Sequence, residues 1–259
     1  MTHVALTIAG SDPSGGAGIQ ADLKTFHQRG VYGMSVITLL TVQNTGGVRD
    51  VRVLDSGFVL AQLGAVLDDI PPAAAKTGAL GSEAVIRALA ERAAGFAFPL
   101  VVDPVMVSKH GAPLMSAGAQ AALSRHLLPC ALLVTPNLYE AGVLAGMAVE
   151  DAAAMKEAAR RIGGRGVKAV LVKGGHLAGE ALDILYWRDS FIEYSAPRTD
   201  TIHTHGTGCT FSAAIAAELA KGFELPTAVE TAKKFISRAI KSHPALGKGI
   251  GPINHHARI

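Results

Sequence analysis

The chain has 259 residues, with 24 Lys and Arg against 21 Asp and Glu, a formal charge of +3 and an isoelectric point near 8.9. Hydrophobic residues make up 49% and charged residues 17%, which excludes a disordered chain and supplies enough apolar material for a core on both faces of a sheet. The basic residues are spread along the chain without interleaved aromatics, so nucleic acid is not expected as a partner.

The two cysteines, Cys130 and Cys209, lie far apart and without metal-ligand spacing, which excludes a disulfide framework and a zinc site and points to a reducing cytoplasm. The start, Met1-Thr2-His3, lacks the basic segment of a secretory signal. The uncharged stretch 30–48 is interrupted by Ser35, Thr38, Thr41, Gln43, Asn44 and Thr45, so no membrane span is expected there.

In chain order, residues 4–9 form an apolar run suited to a buried strand and end at Gly10. A loop rich in turn formers, Ser11-Asp12-Pro13-Ser14-Gly15-Gly16-Ala17-Gly18, leads into a helical period over 19–29. The dinucleotide spacing of Gly16 and Gly18 is not read as a fingerprint, because the loop is long and no acid falls about twenty residues on; no Walker A sequence is present either. Asp22, in the first turns of that helix, is suited either to a ring nitrogen or hydroxyl of a small substrate or to solvent at a helix start. Residues 32–42 read as a buried strand ending in Gln43-Asn44-Thr45-Gly46-Gly47, where an amide offers a donor and acceptor pair to a heterocycle and also serves an ordinary turn.

Residues 48–54 alternate like a strand, 58–67 and 83–93 have helical period, and 73–76 read as a short strand ending at Thr77-Gly78. The strand 100–102 closes on Asp103-Pro104-Val105-Met106. A carboxylate at a strand's carboxyl end sits where open α/β sheets collect ligands; Asp before Pro is equally a turn signal. A helix over 117–128 and a strand over 131–134 lead to Thr135-Pro136-Asn137-Leu138-Tyr139-Glu140, a spacing that fits a capping box and also two oxygen ligands for a hydrated magnesium. A helix over 151–162 and a strand over 169–172 end in Lys173-Gly174-Gly175-His176, where a lysine suits a phosphate contact. Residues 181–194 alternate across Arg188-Asp189-Ser190 and predict an antiparallel hairpin.

The stretch His205-Gly206-Thr207-Gly208-Cys209-Thr210 then opens a helix over 207–221, with a last helix over 225–242. Gly206 and Gly208 allow close backbone approach, and the N–H groups of a helix start favour an anion. Cys209 in that first turn is either a thiol that loses its proton more easily than a free one or a small buried hydrophobe. Alternating strands and helices predict a mostly parallel sheet covered on both faces, with Gly10, Gln43, Asp103, Asn137 and Lys173 on one rim.

Taken together, Ala9-Gly10-Ser11-Asp12-Pro13-Ser14-Gly15-Gly16-Ala17-Gly18-Ile19-Gln20-Ala21-Asp22, Asp103-Pro104-Val105-Met106, Thr135-Pro136-Asn137, Lys173-Gly174-Gly175-His176 and His205-Gly206-Thr207-Gly208-Cys209-Thr210 resemble the hydroxymethylpyrimidine/phosphomethylpyrimidine kinases of thiamine biosynthesis over nearly the whole chain. The resemblance implies one ribokinase-like α/β domain over 1–259, a three-layer α/β/α sandwich with a mostly parallel central sheet. It implies ATP-dependent phosphoryl transfer with magnesium, first to 4-amino-5-hydroxymethyl-2-methylpyrimidine and then to its monophosphate. Carried over by motif, Gly206, Thr207, Gly208 and Cys209 form the anion hole, Cys209 stands where the wider superfamily has an aspartate base, and Lys173 contacts phosphate. Asp103 and Glu140 are implied for magnesium; Asn137, Lys173, Thr207 and Gly208 for ATP; and Asp22, Gln43, Gly10 and Val105 for the pyrimidine. The resemblance also implies a homodimer paired over the sheet edge.

The sister pyridoxine and pyridoxal kinases share the scaffold and tend to lack the glutamine at position 43. One departure is Ala79 in Lys76-Thr77-Gly78-Ala79-Leu80, where many relatives carry methionine, so a roomier pocket wall and some acceptance of pyridoxine-like rings are expected. A catalytically idle vitamer or nucleotide binder has no use for Asp103, Lys173, the Gly206 loop and Cys209 together.

Overall fold

Strands such as Ala5-Leu6, Ala74-Ala75, Val101-Val102, Leu133-Val134 and Ala169-Val170 bury both of their faces, the first residue of each pair in one apolar cluster and the second in another. A strand with no wet face needs helices on both sides, and the structure supplies them. It is a computed structural model that describes residues 2–109, 111–175 and 179–259; of the segment Lys173-Gly174-Gly175-His176, His176 lies outside the described residues.

The strands β1 (Val4–Ser11), β2 (Tyr32–Asn44), β3 (Gly47–Val53), β4 (Ala74–Thr77), β5 (Leu100–Val102), β6 (Leu133–Val134), β7 (Ala169–Lys173), β8 (Asp183–Trp187) and β9 (Ser190–Tyr194) form one nine-stranded sheet in the order β3-β2-β1-β4-β5-β6-β7-β8-β9. From β2 to β7 every neighbouring pair is parallel, and β3 at one edge and β8 and β9 at the other are antiparallel. Three helices, α1 (Gly18–Gln28), α7 (Thr207–Ala220) and α8 (Leu225–Lys241), cover one face. The helices α2 (Ser56–Asp69), α3 (Glu83–Ala93), α4 (Ala117–Ala122), α5 (Leu138–Ala145) and α6 (Ala152–Gly163) cover the other. The architecture is the predicted three-layer, mostly parallel sandwich. No helix among the described residues is long and apolar enough to cross a membrane.

The hairpin falls at the predicted place, turning on Arg188 and Asp189 with φ of 49° and 58°. Two expectations are corrected. The predicted helix over 117–128 is regular only to Ala122; a wider turn, Leu123–Leu127, and a tighter one, Leu128–Cys130, follow, because Pro129 has no N–H to continue the ladder. The strand predicted as buried over 32–42 buries only Met34, Val36, Thr38 and Leu39, and Tyr32 at its start is exposed. Its outer end projects beyond the rest of the sheet with β3 as its partner, which leaves Leu40 and Val42 exposed.

Candidate active site

Parallel strands deliver their carboxyl ends to one rim, and there the structure opens a cleft of about 710 Å³. Gly10 and Gln43 are the penultimate residues of β1 and β2, Gly78 follows β4, Asp103 and Val105 follow β5, Asn137 and Glu140 follow β6, and Lys173 ends β7; all of them line the cleft. The first turn of α7, Gly206 to Cys209, completes the wall.

That turn has the form of an anion cradle. Gly206 caps α7 with φ of 81°, and a Cβ there would collide with the Gly16 carbonyl oxygen, so both backbone conformation and space require glycine. The Thr207 N–H donates to the Thr204 carbonyl at 3.3 Å, and the Thr210 N–H to Gly206 at 2.9 Å. Among the described residues, the N–H groups of Gly208 and Cys209 between them have no protein acceptor. They sit at the positive end of a 14-residue helix whose N-cap makes no side-chain cap.

Lys173 and Asp103 meet beside the cradle, Nζ to Oδ1 at 3.1 Å. A Cβ at Gly208 would lie 3.3 Å from Lys173 Nζ and 3.7 Å from Asp103 Oδ2, so glycine leaves the pair facing the cleft. Thr135 and Ser212 hydroxyls donate to the two Asp103 oxygens at 3.4 and 3.3 Å and fix the carboxylate. Burial pushes the Lys173 ammonium down, but the Asp103 and Glu140 carboxylates outweigh it and its pKa stands above the usual lysine value.

Asn137 and Glu140 form the capping box of α5: the Asn137 N–H donates to Glu140 Oε2 and the Glu140 N–H to Asn137 Oδ1, each at 2.9 Å. The other carboxylate oxygen accepts the Met106 N–H at 3.4 Å. Glu140 is thus first a structural cap. Burial raises its pKa to about 7, Lys173 working against that shift and Asp103 with it. Its folded pKa lies above its value of 4.5 in the absence of structure, so the folded state binds more protons between about pH 4.5 and 7, and the protein loses stability as pH rises through that window. Thermal unfolding should therefore show Glu140→Gln gaining several degrees on the parent between pH 5 and 8. A gap that does not change with pH would refute the assignment.

Two expectations for site residues are corrected. Asp22 does not line the cleft: it is fully buried, accepts the Thr7 hydroxyl at 2.6 Å and pairs with the equally buried Lys76 at 3.0 Å. In this structure the carboxylate is turned to Thr7 and Lys76 rather than to the cleft. Cys209 lines the cleft as expected, but its thiol holds its proton more tightly than a free one. Burial pushes its pKa up to about 11, with Asp22 and Asp103 adding to the rise, while the Lys76 ammonium and the Gly18 N–H pull the other way.

The sequence matches the phosphomethylpyrimidine kinase family over residues 12–254. The chain belongs to that family. It is 49% identical to the hydroxymethylpyrimidine/phosphomethylpyrimidine kinase of Haemophilus influenzae, over 97% of this chain and 96% of that one. Among solved structures it is similar to an ADP complex of Bacillus subtilis pyridoxal kinase, with a TM-score of 0.92, 41% identity and coverage of 99% and 98% of the two chains. It is also similar to the phosphomethylpyrimidine kinase of Clostridium difficile, with a TM-score of 0.83, 45% identity and coverage of 93% and 100%.

Sequence reasoning missed one polar cluster in this phosphomethylpyrimidine kinase family member. His205 Nε2 lies 2.7 Å from Asp12 Oδ2, both side chains nearly fully buried, and 3.4 Å from the Gln43 amide. Asp12 also accepts the Ser14 and Ala17 N–H groups at 2.9 Å, which ties the first glycine loop to the anion cradle. The Gln43 Nε2 is the atom that faces His205 Nε2, and its Oε1 accepts the Thr41 hydroxyl at 3.2 Å, a hydroxyl that also donates to the Ser11 carbonyl at 3.0 Å. The signal lay in the quoted motifs, but 193 residues separate Asp12 from His205, and spacing alone gave no reason to pair them.

Proposed function

We propose that the chain transfers the γ-phosphoryl group of ATP to the hydroxymethyl oxygen of 4-amino-5-hydroxymethyl-2-methylpyrimidine, and then a second one to the phosphate of that product, in thiamine biosynthesis. The observation that carries the reading is the juxtaposition, in one cleft, of the free Gly208 and Cys209 N–H groups, Lys173 and the Cys209 thiol with the amide of Gln43 on the same rim. The family match and the ADP complex of a similar kinase support both substrates. Residues 1–259 act as one kinase domain.

Gln43, with Gly10 and Val105, holds the ring, and its amide pairs with the amino group and ring nitrogen of the pyrimidine. Thr207, Gly208, Lys173 and Asn137 hold the nucleotide phosphates. The cradle N–H groups and the Lys173 ammonium stabilise the charge on the transferring group, which is the largest contribution such a site makes. Cys209 accepts the proton of the attacking hydroxyl; its high pKa makes the thiolate scarce at neutral pH and a strong base where it forms.

The donors fit magnesium, a hard cation that takes oxygen ligands and keeps several waters. Asp103 and Glu140 would hold it, Asp103 with a carboxylate fixed by Thr135 and Ser212 and Glu140 with oxygens that already accept N–H groups. Bound there, the ion neutralises phosphate charge. The protein is cytoplasmic, in keeping with two free thiols, and a homodimer formed over the β2 and β3 edge, where Leu40, Val42 and Val53 are exposed.

Gln43→Met tests the specificity assignment. We expect kcat/KM for the pyrimidine to fall about 20-fold, the loss of a hydrogen-bonded donor and acceptor pair, with pyridoxal turnover unchanged. Equal losses on both rings would overturn the role given to Gln43.

A further inference from the structure

Beyond Leu40, which pairs with Ser11 of β1, strand β2 runs on with β3 as its partner, and the register between them shifts at Val42 and Gln43. A bulge at such a place re-aims a side chain, here an amide that lines the cleft. Leu40 and Val42 are exposed, so this end of the ribbon has no core beneath it. A two-stranded ribbon holds a side chain loosely, and an amide that reads a ring needs a fixed neighbour. His205 stands there, its Nε2 3.4 Å from the Gln43 amide nitrogen.

His205 is held on three sides. Its N–H donates to the Gly251 carbonyl at 3.0 Å and its carbonyl accepts the Ile253 N–H at 3.3 Å, which clamps the backbone. The ring lies against Gly16, where a Cβ would collide with the imidazole. Its Nε2 lies 2.7 Å from Asp12 Oδ2. Asp12 also accepts the Ser14 N–H at 2.9 Å, the Ser14 hydroxyl at 2.7 Å and the Ala17 N–H at 2.9 Å, the surroundings of an ionised carboxylate, which can only accept. The proton of the 2.7 Å contact therefore sits on His205 Nε2 and is spent on Asp12. The Gln43 NH2 finds no acceptor at His205 and keeps its hydrogens for the cleft. Burial pushes the Asp12 carboxyl up, but His205 and Ser14 outweigh it and hold its pKa below the usual value.

We propose that His205, anchored by Asp12, is a positioning residue for ring recognition: it sets the Gln43 amide at the cleft wall and, with its own proton committed to Asp12, leaves the Gln43 NH2 to an acceptor nitrogen of the bound pyrimidine. This rests on the reading of Gln43 as the ring contact. His205 also immediately precedes Gly206, the cap of the anion cradle. One residue thus fixes the amide that holds the ring relative to the N–H groups that receive the phosphoryl group.

The test is a double-mutant cycle between positions 205 and 43, read in kcat/KM for hydroxymethylpyrimidine, with KM for ATP and pyridoxal turnover as controls. We expect His205→Leu to lower kcat/KM for the pyrimidine about tenfold, mostly through KM, with both controls unchanged. His205→Gln, whose amide nitrogen reaches the place of Nε2 and still donates to Asp12, should return to within about threefold of the parent. In a Gln43→Met background His205→Leu should cost less than about twofold more, since the amide it positions is gone. A merely structural histidine gives losses on both rings, a raised KM for ATP, or an undiminished loss in the Gln43→Met background, and any of these overturns the proposal. If His205→Leu does not fold, Asp12→Asn decides. Its amide donates to His205 Nε2 and makes that nitrogen an acceptor that competes for the Gln43 NH2, so a loss confined to the pyrimidine and absent in the Gln43→Met background supports the proposal; no loss, or one shared by both rings, overturns it. Gln43→Met measured alone separates the two readings. If it costs the pyrimidine nothing, Gln43 is not the ring contact and both fall; if it costs the expected loss while His205→Leu stays additive, the positioning role alone falls.

Discussion

Lys173→Met is expected to lower kcat by about 10³-fold and to raise KM for ATP, with the protein still folded. The ammonium contributes twice. It is a donor fixed beside the Gly208 and Cys209 N–H groups, and removal of one such preorganised donor costs about 10²- to 10³-fold. It is also the partner of Asp103 at 3.1 Å and a neighbouring positive charge for Glu140, so its loss leaves two carboxylates facing incoming phosphates without a cation between them. Lys173→Arg should not restore the rate, because a longer, planar guanidinium does not put its charge at the point beside Gly208 and Asp103 that the ammonium holds. Steady-state kinetics on both variants measure this. Near-parental kcat in Lys173→Met would refute the role.

Cys209→Ala is expected to lower kcat at least about 100-fold with little change in KM for either substrate, the signature of a lost general base. Because burial holds the thiol near pKa 11, kcat of the parent should climb with pH across the neutral and mildly alkaline range, and the alanine variant should lack that climb. A loose phosphoryl-transfer transition state demands little of a base, which is why the expected loss is smaller than for Lys173. Turnover close to the parent's, with the same pH profile, would make Cys209 a packing residue.

The fold was legible because apolar runs such as 100–102 and 169–172 have no polar face and alternate with helical periods such as 83–93, a combination that forces a covered parallel sheet. The rim followed from the same topology, so Gly10, Gln43, Asp103, Asn137 and Lys173 could be placed together before any coordinates. Charges inside the protein were not legible. Asp22 has the spacing of a residue near the glycine loop, and the helix rotation that turns it inward to Lys76 is a tertiary fact. A lysine closing the apolar segment 73–76 was the visible clue. The sign of the Cys209 shift was misjudged for a related reason. The helix N-terminus is evident in Gly206-Thr207-Gly208, but the burial that outweighs it is a tertiary property.

The account stands or falls on substrate choice. ATP-dependent turnover of hydroxymethylpyrimidine and of pyridoxal, measured side by side with purified protein and magnesium, tests it most directly. The account predicts a clear preference in kcat/KM for the pyrimidine, with its monophosphate also accepted. Preference for pyridoxal would contradict the assignment of Gln43 and the thiamine function, and would make Ala79 the first residue to replace.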